Sequence, residues 1–192
     1  IQADTAAELV RSGVEVWIAN HRGVDGIIDY VRRLGALVGA GQRADAYADG
    51  LLRGLDDIAR EAAALPRRPR VYFEEWDDPP ITGIRWVSEL VALAGGDEIF
   101  PERAIEPLAK QRILADASEV VRRAPDIILG SWCGKKFRPE KVAARPGWEA
   151  VPAVRDGELH EIKSPLILQP GPAAVTDGVR AIAAVIGQWS RR

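Results

Sequence analysis

Residues 70–100, RVYFEEWDDPPITGIRWVSELVALAGGDEIF, contain the pattern that decides the fold. Residues 70–76 are rich in aromatic and β-branched side chains and predict a buried strand that ends in charge. Residues 82–94 predict a helix, which the following pair of glycines ends and whose inward positions are Ile84, Val87, Leu90 and Val91. A buried strand followed by an amphipathic helix is typical of an α/β protein.

The same alternation continues along the rest of the chain. Residues 125–132, PDIILGSW, predict a second buried strand. Short strands are predicted at residues 150–154 and 158–162, around an Asp-Gly turn. Helices are predicted at residues 116–123, 139–144 and 173–189. We therefore expect one sheet, with helices packed on it, after residue 69.

Upstream of residue 70 the pattern is mostly helical. Helices are predicted at residues 4–12, 24–38 and 44–65, and the last would be on the order of 30 Å long at about 1.5 Å per residue. Residues 14–19, VEVWIA, predict a single strand, which cannot satisfy its backbone hydrogen bonds alone. Either this strand joins the later sheet or its partners precede Ile1, and we favour the second interpretation.

This asymmetry predicts three parts in the chain. Residues 1–43 would be the remnant of an N-terminal α/β lobe, residues 44–66 a connecting long helix, and residues 67–192 a C-terminal α/β lobe. The N-terminal lobe is then expected to be incomplete in this chain. Ile1 opens directly into a helical pattern without an initiating methionine, in keeping with that expectation.

Composition and motifs disfavour several classes of function. The 26 basic and 28 acidic residues give a net charge of −2, so no nucleic-acid partner is expected. The two histidines, His21 and His160, have no companions at zinc-ligand spacing, and no metal site is predicted. The single cysteine, Cys133, has no evident histidine partner. No catalytic residue is predicted, because no nucleophile elbow, phosphate loop or dinucleotide fingerprint is present.

Two tryptophan-bearing segments follow the predicted buried strands. The first is EEWDDPP at residues 74–80, and the second is SWCGKK at residues 131–136. Ligands of open α/β sheets bind beyond the carboxyl ends of the strands, where these segments lie. A large ring beside several charges suits a large, flat ligand with polar edges. The alternative is that each tryptophan closes one end of the core and the charges are solvated.

Several blocks of the sequence resemble cobalamin-binding proteins of ABC importers. These are residues 70–100, residues 117–136 (ASEVVRRAPDIILGSWCGKK), residues 151–179 (VPAVRDGELHEIKSPLILQPGPAAVTDGV) and, upstream, residues 3–39. The resemblance implies a two-lobed periplasmic-binding-protein-like α/β fold, with lobes joined by one long helix. It also implies a monomeric receptor outside the cytoplasmic membrane, with an ABC permease as partner. A corrinoid would be its transported ligand, and no catalytic cofactor is implied.

The resemblance also assigns roles to individual positions. The ligand-facing residues would be Glu75, Trp76, Asp77, Arg112, Trp132, Ile167 and Gln169. Glu119 would contact the permease, although strict alignment puts Ser118 at the family's acidic position. Haem or a ferric siderophore remains the alternative ligand. A cofactor-assembly enzyme or scaffold on the same architecture is a further alternative.

Overall fold

Ten α-helices and five β-strands are formed by residues 2–192, the part of the chain that the computed structural model describes. The helices are α1 (Gln2–Arg11), α2 (Val24–Leu37), α3 (Gly41–Ala63), α4 (Arg85–Leu93), α5 (Pro101–Ala104), α6 (Ser118–Arg123), α7 (Pro139–Ala143), α8 (Pro152–Arg155), α9 (Ser164–Ile167) and α10 (Val179–Ser190). The strands are β1 (Arg70–Asp77), β2 (Pro80–Thr82), β3 (Asp97–Glu98), β4 (Ile127–Gly130) and β5 (Leu159–Glu161). None of the described helices is long and apolar enough to cross a membrane.

The strands form one mixed sheet in the order β2-β1-β4-β5. The central strand β4 runs parallel to β1 and to β5, β2 is antiparallel to β1, and β3 pairs with the start of β1. Glu74 lies opposite Gly130, which in turn lies opposite Glu161. The carboxyl ends of the parallel strands β1, β4 and β5 therefore meet at one edge of the sheet.

Helices cover both faces of this sheet. Successive side chains of β1 alternate between two buried clusters, with Val71 and Phe73 on one face and Tyr72 on the other. The first face packs against α2, α3, α4 and α10, and the second against the shorter helices and loops after residue 99. The result is a layered α/β fold whose core is divided by the sheet.

The predicted long helix is confirmed as α3, a few residues earlier than expected. Its buried positions are Ala48, Leu51, Leu55, Ile58 and Ala62, whereas Tyr47, which the sequence pattern places on the same stripe, is exposed. This stripe belongs to the same cluster as β1 and β4, so α2 and α3 share a core with the sheet. The division into parts at residues 43 and 66 stays a prediction.

The strand predicted at residues 14–19 is wrong. This segment has no regular secondary structure, and Val14, Trp17 and Ile18 are exposed. A β-strand needs a neighbour to bond its backbone groups, and no strand of residues 2–192 pairs with this segment. The apolar character of the segment is real, but the partner that would make it a strand is not in the described structure.

The strand predicted at residues 150–154 is also wrong. Residues Trp148–Ala150 form a 3₁₀ turn, and α8 begins at Pro152. Proline lacks a backbone N–H and has a helical φ, so it suits the first turn of a helix better than a strand. The buried side chains of Val151 and Ala153 produced the apolar pattern.

Other elements differ from the prediction only at their ends. Residues 80–82 form β2 instead of the first turn of a helix, so α4 begins at Arg85. The closing helix begins as a π-helical turn over Ala174–Gly178 before α10. A Cβ on Gly178 would lie 2.5 Å from the carbonyl oxygen of Leu166, so this turn requires glycine at that close contact.

Candidate functional site

A buried carboxylate stands at the centre of the edge where the parallel strands end. The side chain of Glu74 is fully buried in β1 and accepts hydrogen bonds from Trp132 Nε1 at 3.0 Å and Tyr72 Oη at 3.1 Å. Arg145, from the loop after α7, donates to both oxygens at 2.6 and 2.9 Å. Burial raises the pKa of Glu74, and the bonds from Arg145, Trp132 and Tyr72 oppose that rise. The network joins β1, β4 and the loop after α7 beneath the surface.

Trp132, predicted to face the ligand, lies mostly inside the protein. Its side chain is 2% exposed and packs edge-to-face on Phe137, with ring centres 5.0 Å apart. Phe137 also lies over Gly130, where an added Cβ would meet the ring at 1.9 Å. Trp132 thus closes the core at the end of β4 and presents little area to a ligand. Its role in binding stays a prediction.

Trp76, at the end of β1, is half-buried and lies in a charged cluster. Its indole Nε1 donates to the carbonyl oxygen of Asp78 at 2.9 Å. The ammonium nitrogen of Lys135 lies 3.9 Å from the centre of the Trp76 ring and 5.2 Å from that of Trp132. Lys135 also pairs with Asp77. Although partial burial opposes ionisation, the hydrogen bond from Lys135 lowers the pKa of Asp77.

Glu75 and Arg112, both predicted site residues, form an ion pair with each other. The guanidinium of Arg112 donates to both carboxylate oxygens of Glu75 and to the carbonyl oxygen of Thr82. The Arg112 side chain is 2% exposed, and its Nε has no hydrogen-bond partner among the described residues. Glu75 points away from the Glu74 network, as expected for adjacent residues of a strand.

Of the remaining predicted residues, Ile167 and Gln169 follow β5 and Glu119 lies on α6. Ile167 is fully buried in the other core cluster from Trp132, and its carbonyl oxygen accepts from Trp86 Nε1 at 2.8 Å. Gln169 is exposed. Glu119 lies on α6 with its carboxylate 3.2 Å from Arg103 and 3.5 Å from Arg123. The structure therefore brings Glu75, Trp76 and Asp77 to one edge, but keeps the Ile167 side chain away from them.

Residues 20–24 bind to the C-terminal part of the chain at separate points. His21 Nε2 lies 2.6 Å from the carbonyl oxygen of Pro170, next to Gln169. Arg22 donates to the carbonyl oxygen of Pro107 at 2.8 Å, and the backbone N–H of Val24 donates to Glu89 at 2.7 Å. The upstream segment is thus held against the loop that contains Gln169 and against two other points, Pro107 and Glu89.

Two cavities adjoin these elements. One, of about 320 Å³, is lined by residues that follow β4 and β5: Trp132, Gly134, Lys135, Lys136, Glu161, Lys163, Ser164 and Pro165. The other, of about 360 Å³, lies against residues 17–21 and α2, where the Trp17 and Tyr30 rings stack at 5.5 Å and His21 lies 4.9 Å from Tyr30. Together they supply rings and charges of the kind that small-molecule sites use.

Two residues that contact the side chains at the strand ends, Arg145 and Lys135, were not predicted from the sequence. Arg145 lies 71 residues from Glu74 in the chain, and nothing in its local sequence links the two. Lys135 is visible in the SWCGKK segment, where a lysine just after a strand-end tryptophan is a usable signal. The ring-to-ammonium contact with Trp76 could not be found without the pairing of β1 and β4.

Comparison with known proteins identifies the family. Residues 1–166 match the model of a family described as periplasmic binding protein. This chain belongs to that family. No curated protein sequence matches the chain.

Solved structures agree with the fold of this periplasmic binding protein. An ABC transporter substrate-binding protein of Listeria monocytogenes superposes with a TM-score of 0.82 at 17% identity, over 97% of this chain and 73% of the other. The periplasmic vitamin B12 binding protein of Vibrio cholerae gives 0.72 at 20% identity, over 99% and 71%. A periplasmic heme-binding protein of Roseiflexus sp. RS-1 gives 0.75 at 22%, over 95% and 72%. At these identities the likeness shows the fold alone, the one that these three structures share.

Proposed function

We propose that this periplasmic binding protein is the receptor of an ABC import system for cobalamin or a related corrinoid. The observation that carries the proposal is the half-buried Trp76 ring at the end of β1, with Lys135 on the ring and Asp77 paired with that lysine. A corrin is a large, flat macrocycle whose rim carries amide groups. The indole suits its face, and the carboxylate of Asp77 and the ammonium group of Lys135 suit its rim.

The strand ends offer this surface on a rigid support. Below the surface, Glu74 accepts hydrogen bonds from Tyr72 in the same strand, from Trp132 after β4 and from Arg145 after α7. The end of β1 that carries Trp76 is therefore held in place by two other elements. Such support reduces the ordering that binding would otherwise require. The helix α3 shares the core of the sheet, which supports a receptor that closes little around its ligand.

The corrinoid proposal is tested by titrating the protein into cyanocobalamin and following the corrin absorbance at equilibrium. We expect saturable binding with about one ligand per chain, as for a single cleft. Haemin and a ferric hydroxamate are titrated in parallel. Saturation with either of these and none with any corrinoid would reject the corrinoid proposal and keep the receptor role.

Haem is the second candidate ligand, and one feature of the upstream segment favours it. His21 and Tyr30 lie side by side on the 360 Å³ cavity, and both residue types bind haem iron in proteins. Haemin would then show a shifted Soret band that His21→Ala abolishes. A His21→Ala variant with an unchanged haemin spectrum would remove the support for this candidate.

The partner in transport would be an ABC permease, contacted by Glu119 on α6. The carboxylate of Glu119 lies between Arg103 and Arg123, so its contact with a permease arginine would compete with these ion pairs. The family supports a location outside the cytoplasmic membrane, and we propose that the receptor acts there as a monomer.

A further inference from the structure

The cavity that follows β4 and β5 carries more positive than negative charge. Its lining residues include the lysines at 135, 136 and 163 and one carboxylate, Glu161. Lys163 Nζ lies 2.5 Å from Glu161, which leaves that carboxylate already paired. Lys135 is paired with Asp77 and lies on the Trp76 ring.

Lys136 differs from the other two lysines of this cavity. It is exposed, and among residues 2–192 its ammonium group is in no salt bridge or hydrogen bond, although its charge adds to the hydrogen bond from Lys163 in lowering the pKa of Glu161. Lys136 follows the strand end by a few residues, in the same loop as Lys135. Because no carboxylate is in direct contact with it, its ammonium group can bind an anion that enters the cavity, and Ser164 also lines this cavity.

The position of the cavity links it to the proposed ligand surface. Lys135 contacts the Trp76 ring on one side and lines the cavity on the other, so the ring and the cavity are adjacent. A ligand that covers Trp76 would reach the cavity with a group on its periphery. A volume of about 320 Å³ accommodates a side group, but not a whole macrocycle.

We propose that this cavity is an anion subsite, which binds a phosphodiester or carboxylate on the periphery of the ligand through Lys136 and Lys163. The inference rests on the proposed function, because the anion is delivered by a ligand that stacks on Trp76. The nucleotide loop of cobalamin carries a phosphodiester, and haem carries two propionates. The phosphodiester and each propionate carry a single negative charge on their oxygen atoms, and lysine ammonium groups bind such anions.

The test compares a ligand that carries the anion with a related ligand that lacks it. Cobinamide is a corrinoid that lacks the nucleotide loop and its phosphate. We expect Lys136→Gln to weaken cyanocobalamin binding about five- to tenfold, as the loss of a partly screened charge pair, and to change cobinamide binding by less than about twofold. The matched control is Lys110→Gln, an exposed lysine outside this cavity, which should change neither affinity.

Each outcome of this comparison decides something. Equal effects of Lys136→Gln on cobalamin and cobinamide, or none on either, would overturn the anion subsite and leave the receptor function intact. If haemin is the only one of these ligands that binds, the comparison is made between haemin and its dimethyl ester. A loss of affinity on Lys136→Gln for haemin alone then supports the subsite. If neither corrinoid nor haemin binds the wild-type protein, the proposed function itself is overturned, and the subsite with it.

Discussion

The indole Nε1 of Trp132 donates to Oε1 of Glu74 at 3.0 Å, a contact that joins the ends of β4 and β1 across 58 residues of sequence. Both side chains are almost fully buried. The tryptophan that the sequence places at the ligand face is therefore occupied by an internal hydrogen bond. Its loss is expected to be felt first in the stability of the fold.

We expect Trp132→Ala to lower the free energy of unfolding by about 3–5 kcal/mol, because it removes a buried ring and one donor to Glu74. Trp132→Phe should cost less, about 1–2 kcal/mol, since most of the ring volume stays and only the donor is lost. Urea denaturation followed by circular dichroism measures both. A Trp132→Ala protein of wild-type stability with weakened ligand binding would restore the purely ligand-facing interpretation.

Arg145→Met is expected to lower the free energy of unfolding by about 3–5 kcal/mol near neutral pH, because Glu74 is left as a buried, uncompensated charge. Burial raises the pKa of Glu74, so this variant should regain stability relative to wild type as the pH falls and the carboxylate takes up a proton. Arg60→Met is the matched control, since it breaks an exposed ion pair with Asp57 and should cost below about 0.5 kcal/mol.

The double variant Glu74→Gln/Arg145→Met checks the cause of that loss. Without the buried charge, part of the lost stability should return relative to Arg145→Met alone. If the double variant is as unstable as the single one, packing of Arg145 on the Trp148 ring, 4.5 Å away, is the main contribution.

Trp76→Ala is expected to weaken ligand binding by about 1–3 kcal/mol, roughly 5- to 150-fold, because the stacking surface is removed. Stability should change by less than about 1 kcal/mol, since the ring is only half-buried. Trp189→Ala, on α10 and away from the strand ends, is the control and should leave the affinity unchanged. Unaltered binding by Trp76→Ala would exclude this face from the site.

We expect the free energy of unfolding to decline with rising pH because of Glu98. Burial raises its pKa to about 7, against bonds from the backbone N–H of Phe100 and the hydroxyl of Ser88. Between the unfolded value of 4.5 and about 7, the folded state holds a proton that the unfolded state has released. Stability should therefore fall through this window, by up to about 3 kcal/mol, and level off above it.

Glu98→Gln cannot ionise and should lack this dependence. The difference in free energy of unfolding between wild type and variant, measured by urea denaturation between about pH 5 and about pH 8, should shift in favour of the variant as the pH rises. A constant difference across this range would mean that Glu98 is ionised in the folded protein throughout.

The sequence predicted the fold where local patterns suffice. The apolar stripe of α3 and the buried strands β1 and β4 lie close to the expected positions, because each has a period set by its own geometry. The strand prediction for residues 14–19 was wrong, since strand formation depends on a partner strand and not on composition alone. The hydrogen-bond network around Glu74 was not predicted either, because the pairing of Arg145 with Glu74 depends on how distant parts of the chain pack.

The distribution of the six tryptophans has a practical consequence. Trp86, Trp132 and Trp148 are at most 5% exposed, whereas Trp17 is 46% exposed and Trp76 and Trp189 are half-buried. The protein therefore carries two optical populations, one shielded from acrylamide and one open to it. A ligand that covers Trp76 should protect part of the open population from quenching without altering the blue-shifted emission of the shielded one. Intrinsic fluorescence can thus report occupancy and unfolding as separate signals from a single unlabelled sample.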